Sequence, residues 1–315
     1  MSTAMVFERP ALDLSPGRLP AGCPVIVRGM GPGLPGLLAE LTEGRGGRFV
    51  RDHDGETVYL PGGGEPLIYL GSGRGVPYHA AIEYSLWGDG VSGPRFAAPE
   101  ALPRGPAHFR RQVWPLVAKD LAYAYYRELL TAHPSRARMT WAEFERAYSA
   151  QEWGSAAMRA LVRRAVPRFP DRLDLDRLDR PLAGIRFGDH AGLRRWMVGY
   201  IGADVERRAD PAHSADLAVG HMARAVRDAL AGTRHADPWL DGFTAFMADG
   251  PPGAWLEELR ALALAGVVVF LGAGVHVRQD ATGGWRAAGP TVPGAVQARA
   301  LLDARGIVEK QEEHR

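Results

Sequence analysis

The sequence is poor in cysteine and lysine and carries little net charge. Cys23 is its single cysteine, so no disulfide forms within the chain, a usage typical of the reducing cytoplasm. We interpret Cys23 as a small buried residue just before a strand. The lysines are Lys119 and Lys310, and the net charge is only +2, which argues against the strong basic field of a nucleic-acid-binding protein.

Long apolar runs and catalytic signature motifs are missing as well. No stretch approaches the ~20 apolar residues of a membrane span, and the N-terminus lacks the basic and apolar regions of a signal peptide. We therefore expect a cytoplasmic protein with neither membrane nor nucleic acid as partner. G-x-S-x-G, H-E-x-x-H and paired C-x-x-C patterns are absent, so we predict no hydrolase centre and no metal site.

The first third of the sequence has the pattern of an α/β domain. Residues 1–22 show no clear hydrophobic period, which predicts an extended segment, the lead-in, before the first strand. An apolar strand over Cys23–Gly31 is then followed by leucines at helical spacing up to Thr42. The Asp-Gly pair at Asp54 and Gly55 predicts a hairpin, and a further strand follows over Pro66–Leu70. This order predicts a Rossmann-like NAD(P)-type sheet domain whose first part covers residues 23–105.

The middle of the chain, residues 106–265, predicts a large and mostly helical region. Thr140 followed by Glu143 forms a capping-box pattern that predicts one helix start. Other helices are predicted over residues 109–133, 155–166, 189–208, 214–231, 238–249 and 253–265. Asp189, Ser214, Asp237 and Pro252 lie near plausible starts of four of them.

Residues 266–306 return to strand character, and 307–315 form a polar tail. Strands are predicted over Val267–Leu271, Gly274–Arg278 and Trp285–Ala288, and a last helix over Val296–Ala304. The helical region is either a large insertion into the sheet domain or a second domain, and the sequence leaves both arrangements open.

A glycine-rich turn after the first strand is the first candidate site. Gly31–Gly36 fits G-x-G-x-x-G literally, but Pro32 and Pro35 have no N–H group to offer a phosphate. Gly29-Met30-Gly31 directly follows the strand and has the sounder stereochemistry, so we assign Gly29 and Gly31 to the nucleotide site. The alternative is a plain turn between strand and helix that binds nothing.

The turn after the second strand of the predicted sheet indicates which nucleotide would bind. A carboxylate normally holds the ribose hydroxyl of NAD(H) at this position, but the sequence offers Ser72 and Arg74. A hydroxyl and a guanidinium suit a 2′-phosphate, which favours NADP(H) as the cofactor. The alternative is a flexible surface turn with a solvated arginine.

Three further groups of polar or aromatic residues have less specific patterns. His213 between Asp210 and Asp216 has the composition of a general base with its orienting carboxylate, but a turn between helices is favoured. The acidic run of Asp171, Asp174, Asp176 and Asp179 has arginines between its members and predicts a solvated, salt-bridged surface. A third group is aromatic, and for it core packing is the favoured prediction and a ligand cage the alternative. Its members are Trp114, Tyr123, Tyr125, Tyr126 and Trp141. We assign no catalytic residue.

Long segments of the sequence resemble a known family. They are PVIVRGMG, LLAELTEGRGGRF, GSGRGVPY, VWPLVAKDLAYAYYRELLTAHP, LDLDRLDRPLAG, RRADPAHSADLAV and VPGAVQARALLDAR. From Cys23 to Arg305 the chain resembles the actinobacterial FAD/NAD(P)-binding domain-containing proteins, which are relatives of the flavin-dependent N-hydroxylating monooxygenases. The resemblance covers the central NAD(P)-type and helical part and not the N- and C-terminal FAD-binding segments.

The resemblance implies an NAD(P)-binding component of a flavin-dependent oxidoreductase system. NADPH would pass hydride to a flavin, and FAD would bind only with a partner polypeptide. A small-molecule substrate is implied without being named. The alternatives are a non-redox binding, accessory or repurposed biosynthetic protein, or a truncated gene product without independent activity.

Overall fold

The computed structural model describes residues 19–87, 93–104, 108–281 and 283–305. The predicted tail and residues 1–18 of the predicted lead-in lie outside these ranges. Within them the chain is a mixed α/β structure, with one four-stranded parallel sheet, two small antiparallel sheets and many helices. None of the helices in the described ranges combines the length and the apolar character needed to cross a membrane.

The parallel sheet organises the fold. Its strands are β1 (Pro24–Arg28), β4 (Leu67–Gly71), β5 (Val268–Gly272) and β9 (Ala300–Asp303), in the order β5-β4-β1-β9. Their side chains are largely apolar and buried, as expected of a parallel sheet covered on both faces. The chain leaves β1 for β4 on one side, whereas β9 pairs with β1 on the other. Because all the strands are parallel, their carboxyl ends lie along one edge of the sheet. The strand order reverses beside β1, and such a reversal is the usual position of a ligand crevice.

Most of the helices lie in the sequence between β4 and β5, which are neighbouring strands of the parallel sheet. Ile68 of β4 pairs with Val268 of β5, and Val25 of β1 pairs with Ala300 of β9. The strands after the helices thus return to the sheet that β1 and β4 begin, and the term helical insertion denotes the region between β4 and β5. The helices are α1 (Leu34–Leu41), α2 (Trp114–Ala132), α3 (Trp141–Ser149), α4 (Ala156–Ala165), α5 (Leu175–Asp179), α6 (His190–Ala209), α7 (Ala215–Leu230), α8 (Pro238–Ala248) and α9 (Gly253–Leu264).

Two small antiparallel sheets complete the described structure. The predicted hairpin is confirmed as β2 (Arg48–Arg51) and β3 (Thr57–Leu60). A second sheet joins β6 (His276–Gln279), β7 (Trp285–Ala288) and β8 (Val296–Ala298) between β5 and β9. The crossover to the last strand of the parallel sheet is therefore made by strands and not by a helix.

The prediction of a helix over Val296–Ala304 is wrong. The segment forms β8 and β9, and residues 300–303 pair in parallel register with β1. Its alanines and leucines favour a helix locally, but the open edge of β1 offers each backbone group a partner and decides the conformation. Burial alternates from Val296 through Ala298 to Ala300, which is the period of a strand.

Helix starts in the insertion follow the predicted capping residues. The Thr140 side chain accepts the Glu143 N–H at 3.4 Å, and Glu143 in turn accepts the Thr140 N–H at 2.9 Å, which confirms the capping box. Asp189 caps α6 by accepting the Gly192 N–H, and Asp237 caps α8 by accepting the Trp239 N–H. Side-chain acceptors at these positions satisfy N–H groups that have no partner within the helix.

The predicted core positions are confirmed. Tyr123, Tyr125 and Tyr126 are buried on α2, while Trp114 and Trp141 pack against the same core. Cys23 is buried where the chain enters β1, and that burial raises the pKa of its thiol.

Candidate functional site

A cleft of about 620 Å³ opens at the carboxyl ends of β1 and β4. Its size lies within the ~300–1,000 Å³ range of small-molecule sites. Ser72 and Arg74, the two residues predicted to distinguish NADP(H), both line it, together with Arg28 at the end of β1. The helical insertion supplies the facing wall through Asp179 and Trp239.

Arg74 is held in place by a buried carboxylate. Its Nε and Nη2 both donate to Oδ1 of Asp179, at 3.1 and 2.9 Å. The guanidinium also lies 4.9 Å above the ring of Phe246. Only 11% of the Arg74 side chain is exposed, so the alternative of a solvated arginine in a surface turn is wrong.

Asp179 is one of several cleft residues that the sequence alone does not single out, along with Arg28, Trp239 and Arg305. Its Oδ2 accepts from Nε1 of Trp239 at 3.2 Å and lies 3.4 Å from Nε of Arg180. The prediction of a solvated acidic run is therefore wrong for Asp179, and for Asp171, which is also buried. Nothing within the run distinguishes these two carboxylates, because the partner of Asp179 lies in a distant part of the sequence.

The loop from Gly71 to Gly75 is rigidly placed. Ser72 Oγ accepts the Gly75 N–H at 2.9 Å, and Gly73 O accepts the Gly274 N–H at 3.1 Å. Gly75 has a φ of +77°, and a Cβ on it would lie 2.2 Å from the backbone nitrogen of Ala273. Since the Ser72 oxygen acts as an acceptor here, its O–H proton remains available to donate toward the cleft.

The glycine turn after β1 is packed against the protein's own chain. Gly29 has a φ of +105° and donates its N–H to Gly71 O at 2.9 Å. A Cβ on Gly29 would lie 2.6 Å from the backbone nitrogen of Arg305. Gly31 accepts the Leu34 N–H at 3.0 Å as α1 begins. These contacts give Gly29 a packing role, while nucleotide binding by Gly29 and Gly31 stays a prediction.

The cleft is electropositive. Arginines outnumber carboxylates along its wall: Arg28, Arg74, Arg110, Arg180 and Arg305 against Asp179 and Asp237. Arg110 lies 3.9 Å above the Trp239 ring, a cation–π contact that keeps this charge at the wall. Such a wall suits an anionic ligand.

Asp303 positions two of these arginines. Its Oδ2 lies 3.2 Å from Nη2 of Arg28 and 2.9 Å from Nη2 of Arg305. Burial alone would raise the pKa of Asp303, but hydrogen bonds from Arg305 and Arg28 outweigh it and lower the pKa to about 2. Asp303 is therefore ionised throughout the neutral range.

The His213 cluster is a turn between helices, as favoured. His213 lies in the 3-10 turn Pro211–His213, where Asp210 accepts the Ala212 N–H at 2.8 Å. Asp216 is bound to Arg207 by two hydrogen bonds of 2.5 and 2.9 Å. Both carboxylates thus have structural partners other than the imidazole.

One group of side chains in the described ranges is close enough to hold a metal ion. It consists of Asp52, His53 and Asp54 in the β2–β3 turn, and all three are exposed. Asp52 accepts the N–H groups of Asp54 and Glu56, at 3.0 and 2.9 Å, and so shapes the hairpin.

The fold and cleft define an α/β protein with an arginine-lined crevice at the carboxyl edge of a parallel sheet. No family model matches the chain. It is 36% identical over 306 residues to an L-aspartate N-monooxygenase (nitrosuccinate-forming) of Streptomyces davaonensis, covering 90% of this chain and 46% of that protein. An enzyme of the same name from Streptomyces cremeus is 34% identical over 317 residues, covering 93% of this chain and 47% of that protein.

A fungal relative extends the same pattern. Nitrosuccinic acid synthase npaA of Aspergillus oryzae is 30% identical over 318 residues, covering 93% of this chain and 48% of that protein. The chain thus spans about half the length of the curated relatives it matches. These homologues support the predicted relation to monooxygenases.

Proposed function

We propose that the chain is the NADP(H)-binding part of an N-monooxygenase-type oxidoreductase and that its sheet is a Rossmann-like dinucleotide fold. One observation carries the proposal: Ser72 and Arg74 lie together in an electropositive cleft at the carboxyl edge of the parallel sheet. The identity of 30–36% with N-monooxygenases supports the reaction class.

The residues of the cleft fit a dinucleotide carrying a 2′-phosphate. A guanidinium has five N–H donors, and Arg74 donates two of them to one oxygen of Asp179. Its remaining donors and the Ser72 hydroxyl are the groups we assign to the 2′-phosphate. Bound NADPH supplies the hydride, and the part of these residues is to hold and orient it.

The pyrophosphate requires a different assignment from the one that the glycine pattern favours. Gly29 has its N–H bonded to Gly71 and its α-carbon covered by Arg305. Arg28 and Arg305 line the cleft beside this turn, and each is also paired with Asp303. We therefore assign these two guanidinium groups to the remaining phosphates, with Gly31 at the start of α1 as a secondary contact.

Two further parts of the proposal concern the flavin and the substrate. The curated relatives are about twice as long as the matched region. We propose that the flavin is bound outside the described residues. The relatives named for L-aspartate lead us to propose a small amino acid as the substrate.

The test is a titration of the purified protein with NADPH and with NADH, followed by thermal unfolding. A ligand at a hundred times its Kd stabilises the native state by about 2.7 kcal/mol. We expect NADPH to stabilise at lower concentration than NADH. No stabilisation by either would refute nucleotide binding, and stabilisation by NADH alone would remove the role of Ser72 and Arg74. A yellow, flavin-loaded preparation of this chain would refute the separate flavin site.

A further inference from the structure

Trp239 forms an aromatic platform on the helical wall of the cleft. It is the second residue of α8, and its ring stacks on Phe243, with centroids 5.2 Å apart and planes 20° from parallel. Trp114 of α2 packs nearly perpendicular to it, with centroids 4.6 Å apart. Because neighbours from two helices hold the half-buried indole, its orientation is fixed before any ligand binds.

Arg110 places a flat cation on this platform. Its guanidinium carbon lies 3.9 Å from the centroid of the Trp239 ring. A guanidinium is planar and stacks on aromatic faces. Trp239 lies on one side of the group, and Arg110 is an exposed residue that lines the cleft. A second planar group can therefore reach Arg110 from the cleft.

One carboxylate relates the platform to Arg74. Oδ1 of Asp179 accepts from the Arg74 guanidinium, and Oδ2 accepts from Nε1 of Trp239 at 3.2 Å. The guanidinium and the indole therefore bind the two oxygens of the same group and are neighbours along the wall of the cleft. Arg110, above the indole, is the next group along this wall.

The ligand proposed for the cleft carries its groups in the same order. In the adenosine 2′-phosphate unit of NADP(H), the phosphate is on C2′ of the ribose and the base is on the adjacent carbon, C1′. A phosphate on Ser72 and Arg74 therefore directs the base toward a neighbouring part of the wall. Nucleic-acid bases stack on guanidinium planes and on aromatic rings.

We propose that Arg110, held by Trp239, binds the adenine base of the dinucleotide. The base stacks on the guanidinium, and the guanidinium stacks on the indole. Arg110 thus acts on the base, which NADPH and NADH share, whereas Arg74 acts on the 2′-phosphate, which NADPH alone carries. This assignment rests on the proposed dinucleotide site and adds to it the residue that recognises the base.

The test is calorimetry with NADPH, NADH and adenosine 2′,5′-bisphosphate on the wild type and three variants. Arg110→Ala should weaken all three about tenfold, an effect within the range found for the stacking of one base. It should leave the ratio of NADPH to NADH affinity unchanged. Arg110→Lys keeps the charge but loses the planar group, so it should remain at least fivefold weaker than the wild type.

Arg111→Ala is the matched control. Arg111 is the next residue in the chain and is equally exposed, but it does not line the cleft, so its loss should change none of the three affinities. A loss in Arg111→Ala as large as that in Arg110→Ala would assign the effect to the net charge of this segment and overturn the stacking role.

The results separate the base assignment from the dinucleotide site itself. If the wild type binds none of the three nucleotides, the proposed function fails and the assignment fails with it. If the wild type binds NADPH and Arg110→Ala binds it equally well, the dinucleotide site stands and the base assignment is wrong. Full recovery in Arg110→Lys, or a loss confined to NADPH, would also overturn the assignment, because either result indicates a charge acting on a phosphate.

Discussion

Arg74 and Asp179 are joined by two hydrogen bonds although 105 residues separate them in sequence. The pair links the loop after β4 to the C-terminal end of α5, and so ties the sheet to the helical insertion. Because Asp179 also accepts from Trp239, one carboxylate sets the position of two side chains in the cleft. The shape of the cleft therefore depends on a contact between distant parts of the chain.

Asp179→Ala should lower the free energy of unfolding by about 3 kcal/mol or more, because it leaves a buried guanidinium without its partner. Denaturant unfolding measures the loss. Asp176→Ala is the control, since Asp176 is exposed on the same helix and should cost no more than about 0.5 kcal/mol. Equal losses of unfolding free energy in the two variants would show that the Arg74–Asp179 pair stabilises the fold no more than an exposed carboxylate does.

Gly29→Ala should destabilise the protein by more than about 1 kcal/mol. The new Cβ would stand 2.6 Å from the Arg305 nitrogen in a backbone conformation with a φ of +105°. Gly36→Ala is the matched control within α1, where nothing lies within 4 Å, and should be neutral or stabilising by up to ~1 kcal/mol. A tolerated alanine at position 29 would contradict the close approach of the two segments.

Local signals in the sequence predicted local structure well. The hairpin at Asp54-Gly55 and the helix starts at Thr140, Asp189 and Asp237 follow from hydrogen bonds between residues near in sequence, so a short window contains all of the information. Thr140 and Glu143 satisfy each other across three residues.

Structure that depends on distant partners was not predictable in this way. The segment 296–304 has helix-forming residues but becomes strand because β1 offers it an edge. The sequence places Asp179 on a solvated surface, since Arg74 and Trp239 lie far away in sequence. The packing of Arg305 against Gly29 is likewise invisible in the sequence around Gly29. Each of these contacts forms only in the folded chain.

Thr140→Ala should lower the stability by about 1 kcal/mol through loss of the N-cap of α3. Thr140→Ser keeps the hydroxyl acceptor and should lose only a small part of that. Thermal or urea unfolding of both variants measures the difference. Equal loss in both would assign the effect to the methyl group rather than to the capping box.

The Asp303 carboxylate should contribute stability that depends on pH. Its folded pKa of about 2 lies below the ordinary value of ~3.9, so its contribution is complete above about pH 4 and is lost as the pH falls toward 2. The difference in stability between the wild type and Asp303→Asn should accordingly be largest at neutral pH and shrink between about pH 4 and pH 2. A difference that stays constant over this interval would argue against the ion pairs with Arg28 and Arg305.

The most direct measurement of the central claim is the affinity of Arg74→Gln for NADPH and NADH, by calorimetry beside the wild type. Glutamine keeps a donor for Asp179 but removes the charge, and Arg51→Gln on the exposed hairpin is the control. We predict that wild type binds NADPH more tightly than NADH and that Arg74→Gln weakens NADPH at least tenfold while NADH is unchanged. Equal affinity of the wild type for both nucleotides, or no effect of Arg74→Gln on NADPH, would contradict the account.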